Sequence, residues 1–222
     1  MTARSATMVA IAAVCGALLL AAAAGQVLPT RNEEVIVPKV LDNPAAPKPM
    51  TEGDIDALLQ RVARQLSPEL RARLAEAVVS ESARAGYDPL FVLALVAVES
   101  SFRPHVSSDR GAYGLMQLKP STFAWIAGRE PDIGDGAAVS EDPVVDVRLA
   151  VRYFRWLENR FHRREEALMA YNAGPGRMRH YKRVGIPGSL REYPRRVLRE
   201  YQRFTRISGG QDARAVVLAR AN

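Results

Sequence analysis

The sequence predicts an all-α domain. Three observations carry that prediction: three Ser/Asp–Pro pairs stand where helices would start, one candidate helix is apolar on every face, and strand signals are almost absent. In Ser67-Pro68-Glu69, Asp88-Pro89 and Asp142-Pro143, a capping side chain that accepts from free backbone N–H groups precedes a proline. At the first helical position the missing N–H of that proline costs nothing. The composition, 48% hydrophobic and 25% charged over 222 residues, is that of a globular protein with one good core.

The chain opens with an apolar run from Met8 to Ala24, before which Arg4 is the only charged side chain. The run closes in Ala22-Ala23-Ala24-Gly25, small residues that suit a signal peptidase. Residues 1–26 are therefore expected to be a signal peptide or an N-terminal anchor in the inner membrane, since about 17 apolar residues is the lower edge of what spans a bilayer. Either way the expected location is the periplasm or cell envelope. The single cysteine, Cys15, lies inside the run, so no intramolecular disulfide forms. Val14 before it and the apolar stretch after it argue against lipid attachment. Residues 27–50, with Pro29, Pro38, Pro44, Pro47 and Pro49, keep no helical or strand periodicity and read as a proline-rich linker.

The folded domain is expected over residues 51–207, with helices near 52–65, 68–85, 89–101, 120–127, 143–161, 164–172, 175–184 and 194–206. Gly86 stops the second, and Pro194 opens the last. Residues 208–222, which begin with Gly209-Gly210 almost at once, read as a C-terminal tail. No internal repeat, phosphate-cradling loop or metal-ligand spacing appears, and His105, His162 and His180 are scattered; no cofactor or metal is expected.

The chemistry concentrates at the third helix. Leu90-Phe91-Val92-Leu93-Ala94-Leu95-Val96-Ala97-Val98 is apolar all round, which marks a buried helix, and it ends on Glu99. A carboxyl in poor solvent at the negative end of a helix dipole holds its proton to higher pH than a free Glu, as a general acid at neutral pH requires. Beyond it come a polar turn, Ser107-Ser108-Asp109, and a loop whose two glycines allow close approach to a ligand, Gly111-Ala112-Tyr113-Gly114-Leu115-Met116-Gln117-Leu118-Lys119-Pro120. Downstream, Ala170-Tyr171-Asn172-Ala173-Gly174-Pro175-Gly176 sets Tyr171 and Asn172 at a helix end; such side chains stack on and hydrogen-bond to sugars.

These three motifs, in this order and spacing, resemble the lytic transglycosylase family with the lysozyme-like fold. The resemblance implies a two-lobed helical domain with a substrate cleft, Glu99 as the one catalytic acid/base, and Ser108 and Gln117 lining the cleft. It also implies a tyrosine near the end of the domain with its hydroxyl beside the catalytic Glu, a position that Tyr193 matches. The chain departs from the pattern there, with Ser189-Leu190 where Glu-Thr often stands and Pro194 in place of an aliphatic residue.

Glycoside cleavage commonly uses two carboxyl groups. The sequence offers no clear second one, because Asp109 and Asp135 read as turn-formers. That absence fits the implied chemistry, cleavage of the bond between N-acetylmuramic acid and N-acetylglucosamine in peptidoglycan with formation of a 1,6-anhydro sugar. The alternatives are a goose-type lysozyme-like hydrolase and a non-catalytic wall-binding component of an envelope or secretion complex. Net charge is +7, concentrated over residues 177–206. Export argues against nucleic acid as the partner of that basic stretch, whereas peptidoglycan glycan strands carry acidic stem peptides.

Overall fold

The computed structural model describes residues 50–133 and 141–219, with side chains as far as Gly209. The expected signal or anchor segment, the linker and Asp135 lie outside the described residues. Among the described residues eight α-helices follow one another: α1 (Glu52–Val62), α2 (Pro68–Ala85), α3 (Pro89–Ser100), α4 (Pro120–Ala127), α5 (Pro143–Phe161), α6 (Arg164–Ala173), α7 (Pro175–Val184) and α8 (Glu192–Ala219). The last is entered through a 3-10 turn, Gly188–Arg191. No strand forms among the described residues. None of these helices is long and apolar enough to cross a membrane.

The helix starts are chemical. Ser67 accepts from the Leu70 N–H, Asp88 from Leu90 and Asp142 from Val144, each ahead of a proline at the first helical position. Asp88 also accepts from the Tyr201 hydroxyl at 2.7 Å, so one carboxylate caps α3 and ties it to α8. Gly86 ends α2 in the left-handed region, at φ +72°.

The last helix departs from expectation at both ends. Pro194 stands third in α8 rather than first, still within the turn where no intrahelical N–H is missed. The helix then continues past residue 206, through Gly209-Gly210, to Ala219. Glycine weakens a helix interior by about 1 kcal/mol but blocks no hydrogen bond, and no proline follows Pro194 to break the chain.

Every residue of α3 from Leu90 to Val96 is buried. α2 and α8 both pack against it, while α5 packs against α2, α4 and α6. Phe91 of α3 meets Tyr87 and Phe154 of α5 edge-on or tilted, and Phe102 meets Phe204 of α8. Each such fully buried side chain contributes roughly 1.5–3 kcal/mol. α2 and α5 are also locked by charge: the Arg152 guanidinium grips both oxygens of buried Glu81 and reaches Glu130 and Asp132 after α4.

The segment from Ser101 to Lys119 is folded on itself without regular structure. Ser101 and Phe102 both take positive φ (53° and 60°), and Gln65, from the α1–α2 connection, donates to both of their carbonyls at 3.0 Å. A costly backbone turn directly after Glu99 is thereby held in place.

Candidate active site

Glu99 ends the all-apolar α3, and its Oε1 accepts from the Tyr193 hydroxyl at 2.5 Å. Burial pushes its carboxyl up to about 7; the Tyr193 hydrogen bond and the Arg196 guanidinium pull the other way, and Asp146 adds to the rise. A group with that pKa is half protonated at neutral pH, suited to give and then take a proton.

Tyr193 itself is almost fully buried in α8, with the Arg196 guanidinium 5.6 Å from its ring centre. Its ring stacks on Tyr171 (6.4 Å between centres, 20° between planes), and the Tyr171 hydroxyl donates to the Met116 carbonyl at 2.8 Å. Glu99, Tyr171, Tyr193 and the loop carrying Gly114 to Gln117 thus converge. Asn172 is exposed beside them at the end of α6.

Ser108 and Gln117 serve the loop's own backbone. The Ser108 hydroxyl accepts from Ala112 and Arg110, and the Gln117 amide nitrogen donates to the carbonyls of Val106 and Gly114, both at 2.9 Å. Gln117 sits at φ +50°, so those two bonds hold it in a conformation that few side chains adopt. Asp109 is exposed. Among the described residues no His/Cys/Asp/Glu cluster could hold a metal ion.

One buried carboxyl escapes the motifs. Asp146, in the first turn of α5, is only 4% exposed, and burial raises its pKa to about 7. Its Oδ2 accepts the Met116 N–H at 2.8 Å, and the Leu115 N–H also favours its ionised form. It fills the space beside Gly114, where a Cβ would stand 2.5 Å from that oxygen; Gly114 also has φ +83°. Asp146 therefore fixes the loop backbone beneath Tyr171 and adds negative potential at Glu99. Asp146 shares the buried face of α5 with Leu149, Ala150 and Tyr153, but a lone carboxylate in the first turn of a helix is an ordinary helix start, so the sequence did not single it out.

Comparison with known proteins identifies a matching family. The Transglycosylase SLT domain family matches residues 76–185, which hold Glu99, the loop, Asp146 and Tyr171; Tyr193 lies just beyond. The endo-type membrane-bound lytic murein transglycosylase A of Klebsiella pneumoniae is 40% identical over 85 residues, 36% of this chain and 42% of that protein. The membrane-bound lytic murein transglycosylase C of Haemophilus influenzae is 32% identical over 123 residues, 49% of this chain and 33% of that one. This chain thus spans well under half the length of these relatives. An inactive mutant of the lytic transglycosylase Slt from Pseudomonas aeruginosa aligns structurally with a TM-score of 0.52 at 25% identity, over 72% of this chain and 30% of that one. The helical fold is lysozyme-like, and on the matched domain, the relatives and the shared fold the chain belongs to the lytic transglycosylase family.

Proposed function

We propose that this protein is a peptidoglycan lytic transglycosylase in which Glu99 is the single general acid/base. The observation that carries the reading is the Glu99 carboxyl at the end of a buried helix, hydrogen-bonded to Tyr193 and its pKa pushed up by burial, while Asp146, another buried carboxyl, is bound to loop backbone. The names of the relatives, murein transglycosylases, support the substrate.

The steps follow from one carboxyl. Glu99 gives its proton to the oxygen leaving C1 of N-acetylmuramic acid as that bond breaks. The C6 hydroxyl of the same sugar attacks C1, and the Glu99 carboxylate takes the hydroxyl proton. Glu99 ends as it began, no water is consumed, and the sugar closes into the 1,6-anhydro form. An intramolecular nucleophile replaces the second carboxylate of other glycosidases through proximity, an effect worth about 7 kcal/mol or more in good geometry. Tyr193 orients the acid. Asp146 and Gln117 hold the loop, and the sugar-binding role is assigned to Ser108, Tyr171 and Asn172 on the family resemblance.

The Met8–Ala24 run, outside the described residues, is proposed to export the chain or anchor it, which places the activity in the cell envelope. The membrane-bound names of the two relatives support that location. Replacing Glu99 with Gln tests the reading: glycan release from purified sacculi should fall at least about 10³-fold with an unchanged circular dichroism spectrum. Turnover within tenfold of wild type would remove Glu99 from the role. The Pseudomonas aeruginosa structure is of a form inactivated by such a glutamate-to-glutamine change, which supports the choice of variant.

A further inference from the structure

Positive charge is spread unevenly over the surface. Between Glu166 and Glu192 the chain has no acidic residue, against Arg177, Arg179, Lys182, Arg183 and Arg191. Two of these cations are answered from the start of α6, Arg191 by Glu165 and Lys182 by Glu166. Arg177, Arg179 and Arg183 have no carboxylate partner among the described residues. On α8 the arginines are better matched, since Arg195 and Arg199 share Glu192 and Arg203 has Glu200. Uncompensated charge is therefore densest on α7.

α7 also lies on the outside of the domain. Met178 is its one buried residue, and the helix packs chiefly against α6. At about 3.6 residues per turn, Met178, the half-buried Tyr181 and Lys182 share the inner side. The opposite side carries Arg177, Arg179, His180, Arg183 and Val184, all exposed. Val184, at 64%, is the only exposed large apolar side chain among the described residues. A soluble polyanion would use the three cations and leave that valine in water. An anionic bilayer uses both, its phosphates meeting the guanidinium groups while the aliphatic group sinks to the level where the acyl chains begin.

We propose that the outer face of α7 docks on a bilayer surface containing anionic phospholipid, with Arg177, Arg179 and Arg183 on the phosphates and Val184 among the first methylene groups. This rests on the reading of Met8–Ala24 as an exporting or anchoring segment, because that reading brings the domain to a membrane. It adds an orientation: the domain lies on the bilayer by one defined face.

The full chain carrying Cys15→Ala and Val184→Cys, with a bimane label at position 184, is transferred from detergent to two kinds of vesicle. One is phosphatidylcholine alone, and in the other half of that lipid is phosphatidylglycerol; both contain brominated phosphatidylcholine, which quenches a label that enters the bilayer. Quenching at position 184 should be at least about threefold greater with phosphatidylglycerol and should fall to the phosphatidylcholine level in about 0.5 M NaCl, which screens the attraction. The same label introduced by Gln60→Cys, on the exposed side of α1, should be quenched little and equally in both. Arg177→Gln, Arg179→Gln and Arg183→Gln together should remove the phosphatidylglycerol effect at 184. Lysine at the same three positions should keep most of it, because a charged surface asks for charge more than for a two-pronged donor. Equal quenching at 184 in the two lipids would overturn the proposal, as would an unchanged response in the Gln variant. Purified sacculi that alter the label at 184 as strongly as the anionic vesicles do would overturn it too, and make the face a wall-binding one. Flotation of the same samples separates the two readings. A chain that floats with both vesicles while position 184 stays silent loses the α7 face and keeps the anchor. A chain that floats only with the anionic vesicles, with 184 responding, keeps the face and loses the anchor.

Discussion

Glu99 stands where seven consecutive buried residues deliver it, at a helix end with Tyr193, Arg196 and Asp146 around it and Tyr171 close by. Its proton affinity is a balance of those neighbours, and the balance can be moved one charge at a time. Activity should fall above pH 7 as Glu99 loses its proton. Removing the negative neighbour by Asp146→Asn should move that alkaline limb down, and removing the positive one by Arg196→Gln should move it up, each by about 0.3–1 pH unit. Kcat against pH on solubilised glycan checks both; shifts of one sign would mean that the residues act through structure rather than charge. The same groups link pH to stability. Glu99 and Asp146 titrate near 7 in the fold against ordinary values of 4.5 and 3.8, so the stability held in their neutral forms is complete below those ordinary values and lost as pH rises through about 7. Wild-type Tm should therefore drop between pH 5 and pH 8, and Glu99→Gln should drop less. The raised proton affinity of Glu99 was readable from the apolar run before it. Asp146 was not, because one carboxylate in the first turn of a helix is the ordinary signature of a helix start, and only the fold shows the loop backbone it receives.

At the scale of elements, the caps made the helices legible: Ser67, Asp88 and Asp142 each do what a side chain ahead of a proline does, whatever packs around them. The loop between α3 and α4 was legible as a motif but not as a shape. Its form depends on partners distant in sequence, Gln65 on the Ser101 and Phe102 carbonyls, Tyr171 on Met116 and Asp146 on the Met116 N–H. Nothing local to residues 101–119 announces them. Gly114 is where these demands meet, since it needs both a left-handed backbone and room for the Asp146 carboxylate. Gly114→Ala should therefore destabilise the domain by about 2 kcal/mol or more and abolish glycan cleavage, whereas the same change at exposed Gly111, also left-handed but with open space around it, should cost about 1 kcal/mol. Chemical denaturation of the two variants checks the difference; equal losses would mean that the Asp146 contact is unimportant.

At the scale of the whole molecule, α3 delivers the acid, α5 the loop anchor, α6 and α8 the two tyrosines, and α2 packs against both α3 and α5. Arg152 ties α5 to α2 through Glu81, whose side chain is 6% exposed. Arg152→Met should cost about 3–5 kcal/mol in urea denaturation, because it strands a buried carboxylate. Replacing Glu81 with Met in the same chain should recover part of that loss. The overall class and helix order were visible in the sequence, whereas this network was not, since Arg152 and Glu81 are separated by 71 residues and each sits among many other charges. The central claim is that this molecule cuts glycan with one carboxyl and no water, and the most direct test is mass spectrometry of muropeptides released from purified peptidoglycan. The account predicts ends of 1,6-anhydro-N-acetylmuramic acid, about 18 mass units lighter than the hydrolysed counterparts and not reducible by borohydride; reducing ends in their place would contradict it and make the enzyme a hydrolase.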